Sequence, residues 1–193
     1  MFAELLKHRL TAIVDLQPDQ IAALKDHYEL LVRWNRIVNL TSICDINQVI
    51  ERHYAESLFL ANNLPRNRFR IVDIGSGAGF PGLPLAVLRP DCSVTLTESH
   101  QRKAVFLREA TRTLKNVRVV PLRAEDIAER FDWAVSRAVS YEDLSPFLKK
   151  LAPNVELLSG VETPPDDMGF SWYRPIPLPW GKQRFLRVGQ IPC

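Results

Sequence analysis

The residues best suited to binding a ligand form the stretch "DIGSGAGFPG" at 73–82, in which four of ten residues are glycine. This stretch follows an apolar run at 70–74, and glycines after a strand let the backbone approach a ligand closely. Glu98 ends the next expected strand, 23 residues after Gly75 (98 minus 75), near the spacing at which an acidic residue reaches ribose hydroxyls. The pattern predicts an adenosine-containing ligand. The alternative is a turn needed for helix packing, with Glu98 as a surface charge.

The residues around these glycines indicate which nucleotide is bound. The dinucleotide fingerprint G-x-G-x-x-G fails here, because Phe80 stands at the third glycine position. Asp73 instead provides an acidic residue followed by G-x-G-x-G, which resembles the first motif of class I S-adenosylmethionine-dependent methyltransferases. In that arrangement the loop, including Gly77, admits the aminoacyl part of the cofactor. Asp73 would then lie near the cofactor's ammonium group, directly or through water, and Glu98 would bind its ribose.

Five sequence blocks carry a closer resemblance. In chain order they are "WNRIVNLTS" (34–42), "RHYAESL" (52–58), "DIGSGAGFPGLPLA" (73–86), "RAED" (123–126) and "FDWAVSRAV" (131–139). Together they resemble the small-subunit ribosomal RNA methyltransferase G family, over about residues 15 to 150. The resemblance implies S-adenosyl-L-methionine as cofactor, and methyl transfer to N7 of a guanine in the decoding-region hairpin loop of bacterial 16S rRNA. It also implies cofactor contacts at Gly75, Phe80, Ala124, Glu125 and Arg137.

The chemistry implied by this resemblance needs no catalytic base, because guanine N7 carries a lone pair and no proton. We therefore nominate no catalytic residue, and the sequence offers no metal-ligand spacing. Amino-methylating enzymes often carry N/D-P-P-Y/F after the fourth strand, where this chain has "SRAV" (136–139). Cytosine-C5 methylation needs a cysteine nucleophile, and neither Cys92 nor Cys193 is well placed. His53 is the acid–base candidate, which we interpret as a histidine satisfying a helix contact near the pocket.

Further polar residues have two interpretations each. Arg137 either lies at the mouth of the pocket beside the methyl group or forms an ion pair that fixes its loop. Asn39 and Thr41 either touch the substrate or cofactor, or make hydrogen bonds at a helix end. Phe80 either stacks on a base or packs against the cofactor.

Basic residues are candidates for RNA contacts. One group, spaced i, i+4, i+7 on a helix predicted over 100–115, comprises Arg108, Arg112 and Lys115. An ordinary solvated helix face is the alternative explanation. A second group lies near the expected pocket and comprises Arg33, Arg36 and Arg52. Phosphate contacts at such residues would give salt-sensitive affinity, and a looped-out guanine would expose its reactive edge.

The elements that must position these residues follow from periodicity. Apolar residues three or four apart predict a helix over about 18–36 and a second over about 46–61. Strands are predicted at 70–74, 93–98, 117–121, 131–136, 155–159 and 183–189, with helix-sized stretches at 82–89, 100–115, 124–129 and 142–151. Such alternation predicts an α/β, Rossmann-like class I methyltransferase fold: a mostly parallel twisted sheet with helices on both faces.

Length and composition agree with one domain. The 193 residues divide into a helical extension at 1–65 and a cofactor-binding core at 66–193. Three scattered cysteines indicate free thiols and a reducing cytoplasm. A net charge of +3 permits a polyanionic partner such as 16S rRNA or the small ribosomal subunit. We expect no signal peptide, no membrane span and a monomer.

The C-terminal third departs from the family pattern. About ten residues separate the fifth strand from Gly169, and five prolines within 163–181 exclude a long helix. Two alternatives to the methyltransferase remain, of which the first follows from this altered C-terminal part. One is a catalytically impaired RNA-binding relative of the same fold, and the other is a nicotinamide-dependent oxidoreductase, which Phe80 disfavours.

Overall fold

A helical segment opens the chain in the computed structural model, which describes residues 1–11 and 13–192. Its helices are α1 (Phe2–Leu10), α2 (Pro18–Val38), α3 (Ile46–Val49), a π-helical stretch (Ile50–Ala55) and α4 (Glu56–Asn63). Pro18 suits the first turn of α2, where a missing N–H costs nothing, and Gln17 and Gln20 form a reciprocal capping box there. Both predicted helices of this segment are confirmed, with ends shifted by about two residues.

The rest of the chain alternates strands and helices. The strands are β1 (Arg70–Ile74), β2 (Ser93–Thr97), β3 (Val117–Val120), β4 (Trp133–Arg137), β5 (Asn154–Ser159), β6 (Ser171–Trp172), β7 (Ile176–Pro177) and β8 (Phe185–Gln190). The helices are α5 (Gly82–Leu88), α6 (Gln101–Ala110), α7 (Tyr141–Leu144) and α8 (Leu148–Leu151), with 3₁₀ turns at Ala124–Asp126 and Asp166–Met168.

The sheet has the order β3-β2-β1-β4-β5-β8-β6, with β7 also paired to β8. The first five strands are parallel, and β8 runs antiparallel to β5. Asp73 of β1 lies between Leu96 of β2 and Val135 of β4, at the middle of the sheet. The chain order reverses between β1 and β4, and ligands of such sheets bind at the carboxyl ends of the strands there. The predicted α/β fold is confirmed.

Two hydrophobic layers cover the faces of the sheet. One face packs against α5, α6 and the helical segment, and the other against α7, α8 and the chain around Met168. Tyr54 and Leu58 of the helical segment, both fully buried, share the first core with Ile71 of β1 and Phe106 of α6. The N-terminal helices therefore pack directly on the sheet.

Several predicted helices are shorter than the sequence indicated. The helix predicted over 100–115 ends at Ala110, because the Thr111 hydroxyl donates to the Leu107 carbonyl (2.7 Å) and the chain turns toward β3. Arg112 and Lys115 therefore lie beyond the helix, and the predicted basic stripe on one helix is wrong.

Two other helix predictions also need correction. The stretch at 124–129 contains the 3₁₀ turn Ala124–Asp126 alone. The stretch at 142–151 is split into α7 and α8 around Pro146, which has no N–H to donate. The absence of a long helix in the proline-rich segment and the late strand β8 are confirmed.

Two expectations about the whole chain can be compared with the described residues. None of their helices is long and apolar enough to cross a membrane. Cys44 is exposed and Cys92 is buried, and both carry free thiols, while Cys193 lies outside the described residues.

Candidate cofactor site

The glycine-rich loop between β1 and α5 is held in a tight turn by backbone bonds. Ser76 N donates to Thr97 O of β2 (2.9 Å), and Gly79 N donates to Ser76 O (2.7 Å). Gly75 and Gly77 have φ angles of +68° and +56°, in the left-handed region that favours glycine. A Cβ on Gly77 would meet nothing closer than Gly75 O at 3.8 Å, so this side of the loop is open. The loop therefore presents bare backbone to its surroundings.

Glu98 anchors this loop to the end of β2. Its Oε2 accepts from Gly77 N (3.0 Å) and its Oε1 accepts from His100 N (2.8 Å), and the side chain is 9% exposed. Gly77 and Glu98, which the sequence predicts at one ligand site, are thus in direct contact. A nearly buried carboxylate with both oxygens turned toward backbone N–H groups keeps a fixed position beside the loop.

Asp73 lies beneath the loop, where it is completely buried. Its Oδ2 accepts from Gly82 N at the start of α5 (2.9 Å), while Oδ1 has no hydrogen-bond partner among the described residues. Burial raises the pKa of Asp73 to about 7, and the nearby Ser76 hydroxyl and Gly82 N–H oppose this rise. The carboxyl group therefore holds the loop to α5, and its placement near the cofactor's ammonium group stays a prediction.

A cavity of about 240 Å³ opens beside the glycine-rich loop. Its lining comprises Leu40, Thr41, Ser42, Ile43, His53, Gly75, Ser76, Gly77, Ala78, Phe80, Arg137 and Ala138. Four residues predicted to bind the cofactor, Gly75, Gly77, Phe80 and Arg137, are therefore brought together at the carboxyl ends of β1 and β4. We call this space the loop cavity.

His53 stands in the wall of the loop cavity with both ring nitrogens engaged. Arg137 Nη1 donates to Nδ1 (2.6 Å), so Nε2 carries the proton and donates to Thr41 Oγ1 (2.9 Å). The ring stacks on Phe80, with centroids 4.6 Å apart. Burial, with the neighbouring charge of Arg137, lowers the pKa of His53 to about 3. The structure thus places His53 beside the pocket with both ring nitrogens bonded to a loop residue and to the end of β4, rather than to a helix as the sequence suggested.

Arg137 reaches the cavity wall from the end of β4 and is 11% exposed. Besides donating to His53, it lies 3.8 Å from Glu56, a fully buried carboxylate of α4. Burial lowers the pKa of Arg137 to about 10, and Glu56 opposes that shift. Arg137 thus lines the loop cavity and its ion pair with Glu56 fixes the direction of its side chain, while its place beside the methyl group stays a prediction.

Sequence reasoning missed a buried pair that supports the loop from the helical segment. His27 of α2 contacts Ala78 O through Nε2 (3.0 Å), and Tyr54 OH contacts His27 Nδ1 (2.9 Å). Because a carbonyl can only accept, Nε2 carries the proton and Tyr54 donates to Nδ1. A lone histidine at a helical core position gave no signal, because its partners are 27 and 51 residues away in the chain.

Ala124 and Glu125, the remaining predicted contacts, occupy the 3₁₀ turn after β3. Ala124 is buried, whereas the Glu125 side chain is 52% exposed and lies 3.7 Å from Arg123. They do not line the loop cavity, but they follow β3 at the carboxyl ends of the parallel strands, where the glycine-rich loop also lies.

The remaining polar candidates are exposed or half-buried. Asn39 is the left-handed residue that ends α2, so the helix-end interpretation describes its backbone. Thr41 lines the loop cavity and also donates its N–H to Asn35 Oδ1 (2.8 Å). Arg33 and Arg36 are exposed on α2, while Arg52 is half-buried beside Glu56. No group of three or more potential metal ligands occurs within residues 1–11 and 13–192.

Comparison with known proteins identifies the family. A family model described as "rRNA small subunit methyltransferase G" matches residues 20–158, which is most of the chain. The chain belongs to the ribosomal RNA small subunit methyltransferase G family. The expected family is thereby confirmed, and it is a methyltransferase family rather than a family of nicotinamide-dependent oxidoreductases.

Individual relatives of this methyltransferase G family agree with the match. A protein named "Ribosomal RNA small subunit methyltransferase G" from Burkholderia ambifaria is 38% identical over 169 residues, covering 81% of this chain and 72% of its own. One of the same name from Roseiflexus castenholzii is 41% identical over 145 residues, covering 71% and 62%. Matches of this kind span between 56% and 72% of the relatives' own lengths.

Solved structures agree on the fold. A SAM-dependent methyltransferase from Aquifex aeolicus aligns with a TM-score of 0.58 at 16% identity, over 75% of this chain and 93% of its own. Aeropyrum pernix fibrillarin with natively bound S-adenosyl-L-methionine aligns with a TM-score of 0.54 at 13% identity, over 66% and 69%. S-adenosyl-L-methionine is thus the cofactor that membership of the methyltransferase G family, together with this fold, indicates. The open, left-handed Gly77 beside Glu98 fits such a ligand, because a cofactor can approach the bare backbone there.

Proposed function

We propose that the protein transfers the methyl group of S-adenosyl-L-methionine to N7 of a guanine in the decoding-region hairpin loop of 16S rRNA. Membership of the methyltransferase G family supports the reaction class and the RNA substrate. The choice of N7 rests on the chemistry of the loop cavity. Bound S-adenosyl-L-methionine supplies an electrophilic sulfonium methyl group, so the nucleophile must bring an available lone pair.

The observation that carries this proposal is that the loop cavity lacks a free base. Among the described residues that line it, His53 and Arg137 are the titratable ones. Arg137 is a cation, and His53 uses Nδ1 to accept from Arg137 and Nε2–H to donate to Thr41. Neither can remove a proton from an amino group or a hydroxyl group. Guanine N7 has no proton to lose, which makes it the nucleophile that suits this lining.

The residues of this chain therefore act by positioning. Gly75 and Gly77 would receive the methionine end of the cofactor through their backbone, and Glu98 would accept hydrogen bonds from its ribose. Ala124 and Glu125, which follow β3, would meet the adenine edge. Aligning nucleophile, methyl carbon and sulfur supplies a large part of the catalysis, because orientation alone contributes roughly 7 to 11 kcal/mol.

Arg137, Phe80 and His53 would form the wall against which the reactants are aligned. The stacked rings of His53 and Phe80 are both buried, which restricts the positions that they can adopt. Arg137 is held by His53 and by Glu56, so its guanidinium keeps a fixed direction at the cavity. A guanidinium group held in a fixed direction here would contribute to electrostatic control of the charges that change during methyl transfer.

The test incubates the purified protein with tritiated S-adenosyl-L-methionine and with 30S subunits or deproteinised 16S rRNA that lack the modification. We expect label in 16S rRNA at one guanine of the decoding-region hairpin loop, detected as chain cleavage specific for 7-methylguanine. Label on an exocyclic amino group or a ribose hydroxyl would refute the N7 assignment. Binding of RNA without any transfer would instead support the catalytically impaired relative.

A pair of variants tests the proposed role of Glu98 in cofactor binding. In Glu98→Gln the side chain keeps one acceptor oxygen and loses its charge, so we expect S-adenosylhomocysteine affinity to fall about tenfold or more, as for a lost charged hydrogen bond. Glu142→Gln removes an exposed carboxylate of α7 and serves as the matched control. Calorimetric titration measures both. Equal affinities for both variants and the unmodified protein would contradict the role of Glu98.

A further inference from the structure

Three arginines from distant parts of the chain converge on one buried carboxylate. Arg184 donates to Glu56 through Nε (3.2 Å, to Oε1) and Nη2 (2.7 Å, to Oε2). Arg52 Nε lies 3.5 Å from Oε1, and Arg137 Nε lies 3.8 Å from Oε2. Glu56 itself is completely buried. We call Arg52, Arg137 and Arg184 the arginine cluster.

The arginine cluster carries more positive charge than its partner neutralises. One carboxylate among three guanidinium groups leaves an excess of two positive charges (three minus one) in a partly buried region. Both oxygens of Glu56 accept hydrogen bonds from Arg184, so Arg52 and Arg137 share the same carboxylate at longer distances. The Nε atoms of Arg52 and Arg137 are buried and have no hydrogen-bond partner among the described residues. Three guanidinium groups that share one carboxylate, with two buried Nε–H groups lacking an acceptor, favour an anion.

The cluster lies at the carboxyl ends of β4 and β5. Arg137 ends β4, and Arg184 immediately precedes β8, whose first residue pairs with Ser159 at the end of β5. Most of the expected cofactor contacts follow β1, β2 and β3, on the other side of the point where the strand order reverses. Arg52 is the outermost member, with 42% of its side chain exposed. The cluster thus extends from the wall of the loop cavity toward solvent.

We propose that the arginine cluster is a phosphate-binding site that holds the RNA backbone next to the methylated nucleotide. This inference rests on the proposed function. A phosphate group offers several anionic oxygens, which suit guanidinium donors from separate elements. The C-terminal segment, which departs from the family pattern, contributes to substrate binding through Arg184.

The experiment measures how RNA affinity depends on salt. Each phosphate contact on single-stranded RNA contributes about 0.7 to the slope of log K against log salt. We expect Arg52→Gln and Arg184→Gln each to lower that slope by about 0.7 and to weaken binding of unmodified 16S rRNA about tenfold at moderate salt. Arg174→Gln, at an exposed arginine of the same C-terminal segment, removes the same charge and should retain the slope.

Two controls make the result decisive. Thermal unfolding shows that each variant is folded, and Arg52→Gln is the safer substitution because its side chain is the most exposed of the three. Calorimetry with S-adenosylhomocysteine should give unchanged affinity for Arg52→Gln and Arg184→Gln. A loss there with an unchanged RNA slope would assign the cluster to the cofactor carboxylate and overturn the proposal.

The result also separates this site from the proposed function. Unchanged slopes in both variants, with 7-methylguanine still formed, would refute the phosphate site and leave the function standing. Reduced slopes in the two variants would support the phosphate site even if the unmodified protein forms no 7-methylguanine. That second result would refute the proposed methylation.

Discussion

Replacing Tyr54 by phenylalanine tests the buried link between the helical segment and the glycine-rich loop. Tyr54 is completely buried, and its hydroxyl donates to His27 Nδ1 at 2.9 Å. Removing the hydroxyl keeps the ring contacts with Phe2 and Phe80. It leaves Nδ1 of a histidine that is 2% exposed without a donor. An unsatisfied buried acceptor costs about 1–3 kcal/mol, so we expect the free energy of unfolding to fall by that amount.

Urea unfolding monitored by circular dichroism gives this free energy, with Tyr28→Phe as a matched control. Tyr28 is half-buried and stacks on Phe2, and its hydroxyl has no hydrogen-bond partner among the described residues. Its substitution should change stability by less than about 0.5 kcal/mol. In a His27→Leu background, Tyr54→Phe should cost much less, because the acceptor is already gone. An equal cost in both backgrounds, or an equal cost for both tyrosines, would refute the link.

Three further substitutions have expected outcomes. His27 Nε2–H donates to the Ala78 carbonyl of the glycine-rich loop, and this bond survives in Tyr54→Phe. His27→Leu should therefore weaken S-adenosylhomocysteine binding more than Tyr54→Phe does. Equal affinities of the two variants in calorimetry would contradict this. Burial raises the pKa of Glu156 from 4.5 to about 8, so stability present below pH 4.5 is lost as pH rises to about 8, by up to about 5 kcal/mol. Glu156→Gln keeps an acceptor for Asn63 and removes this loss of stability. In urea titrations its free energy of unfolding, relative to that of the unmodified protein, should therefore rise between about pH 5 and pH 9. A difference in free energy that does not change with pH would count against the buried carboxyl group. Gly82→Ala would place Cβ 2.8 Å from Asp73 Cβ and against Leu96. It should lower the free energy of unfolding by about 1–3 kcal/mol or more, whereas a stability within about 0.5 kcal/mol of the unmodified protein would overturn the packing argument.

Local patterns were enough to predict much of the fold. The β1 strand, the turn at Gly75 and the start of α5 are encoded within about a dozen adjacent residues, and Glu98 follows at the end of the next strand. Strand–helix alternation then requires a parallel sheet, which brings these features to one edge. Helix ends were less predictable: α6 stops at Ala110 because a side chain and a turn compete with the helix there.

The kind of ligand loop and the family could be inferred from the amino-acid order alone, because glycine spacing and ordered motifs are properties of neighbouring residues. The burial of Asp73 beneath the loop and the occupation of both His53 nitrogens became visible in the folded chain. Folding also brings Arg184 to Glu56, across 128 residues of chain. Such contacts depend on how the helices and the C-terminal strands pack against the sheet, and no local pattern encodes that packing.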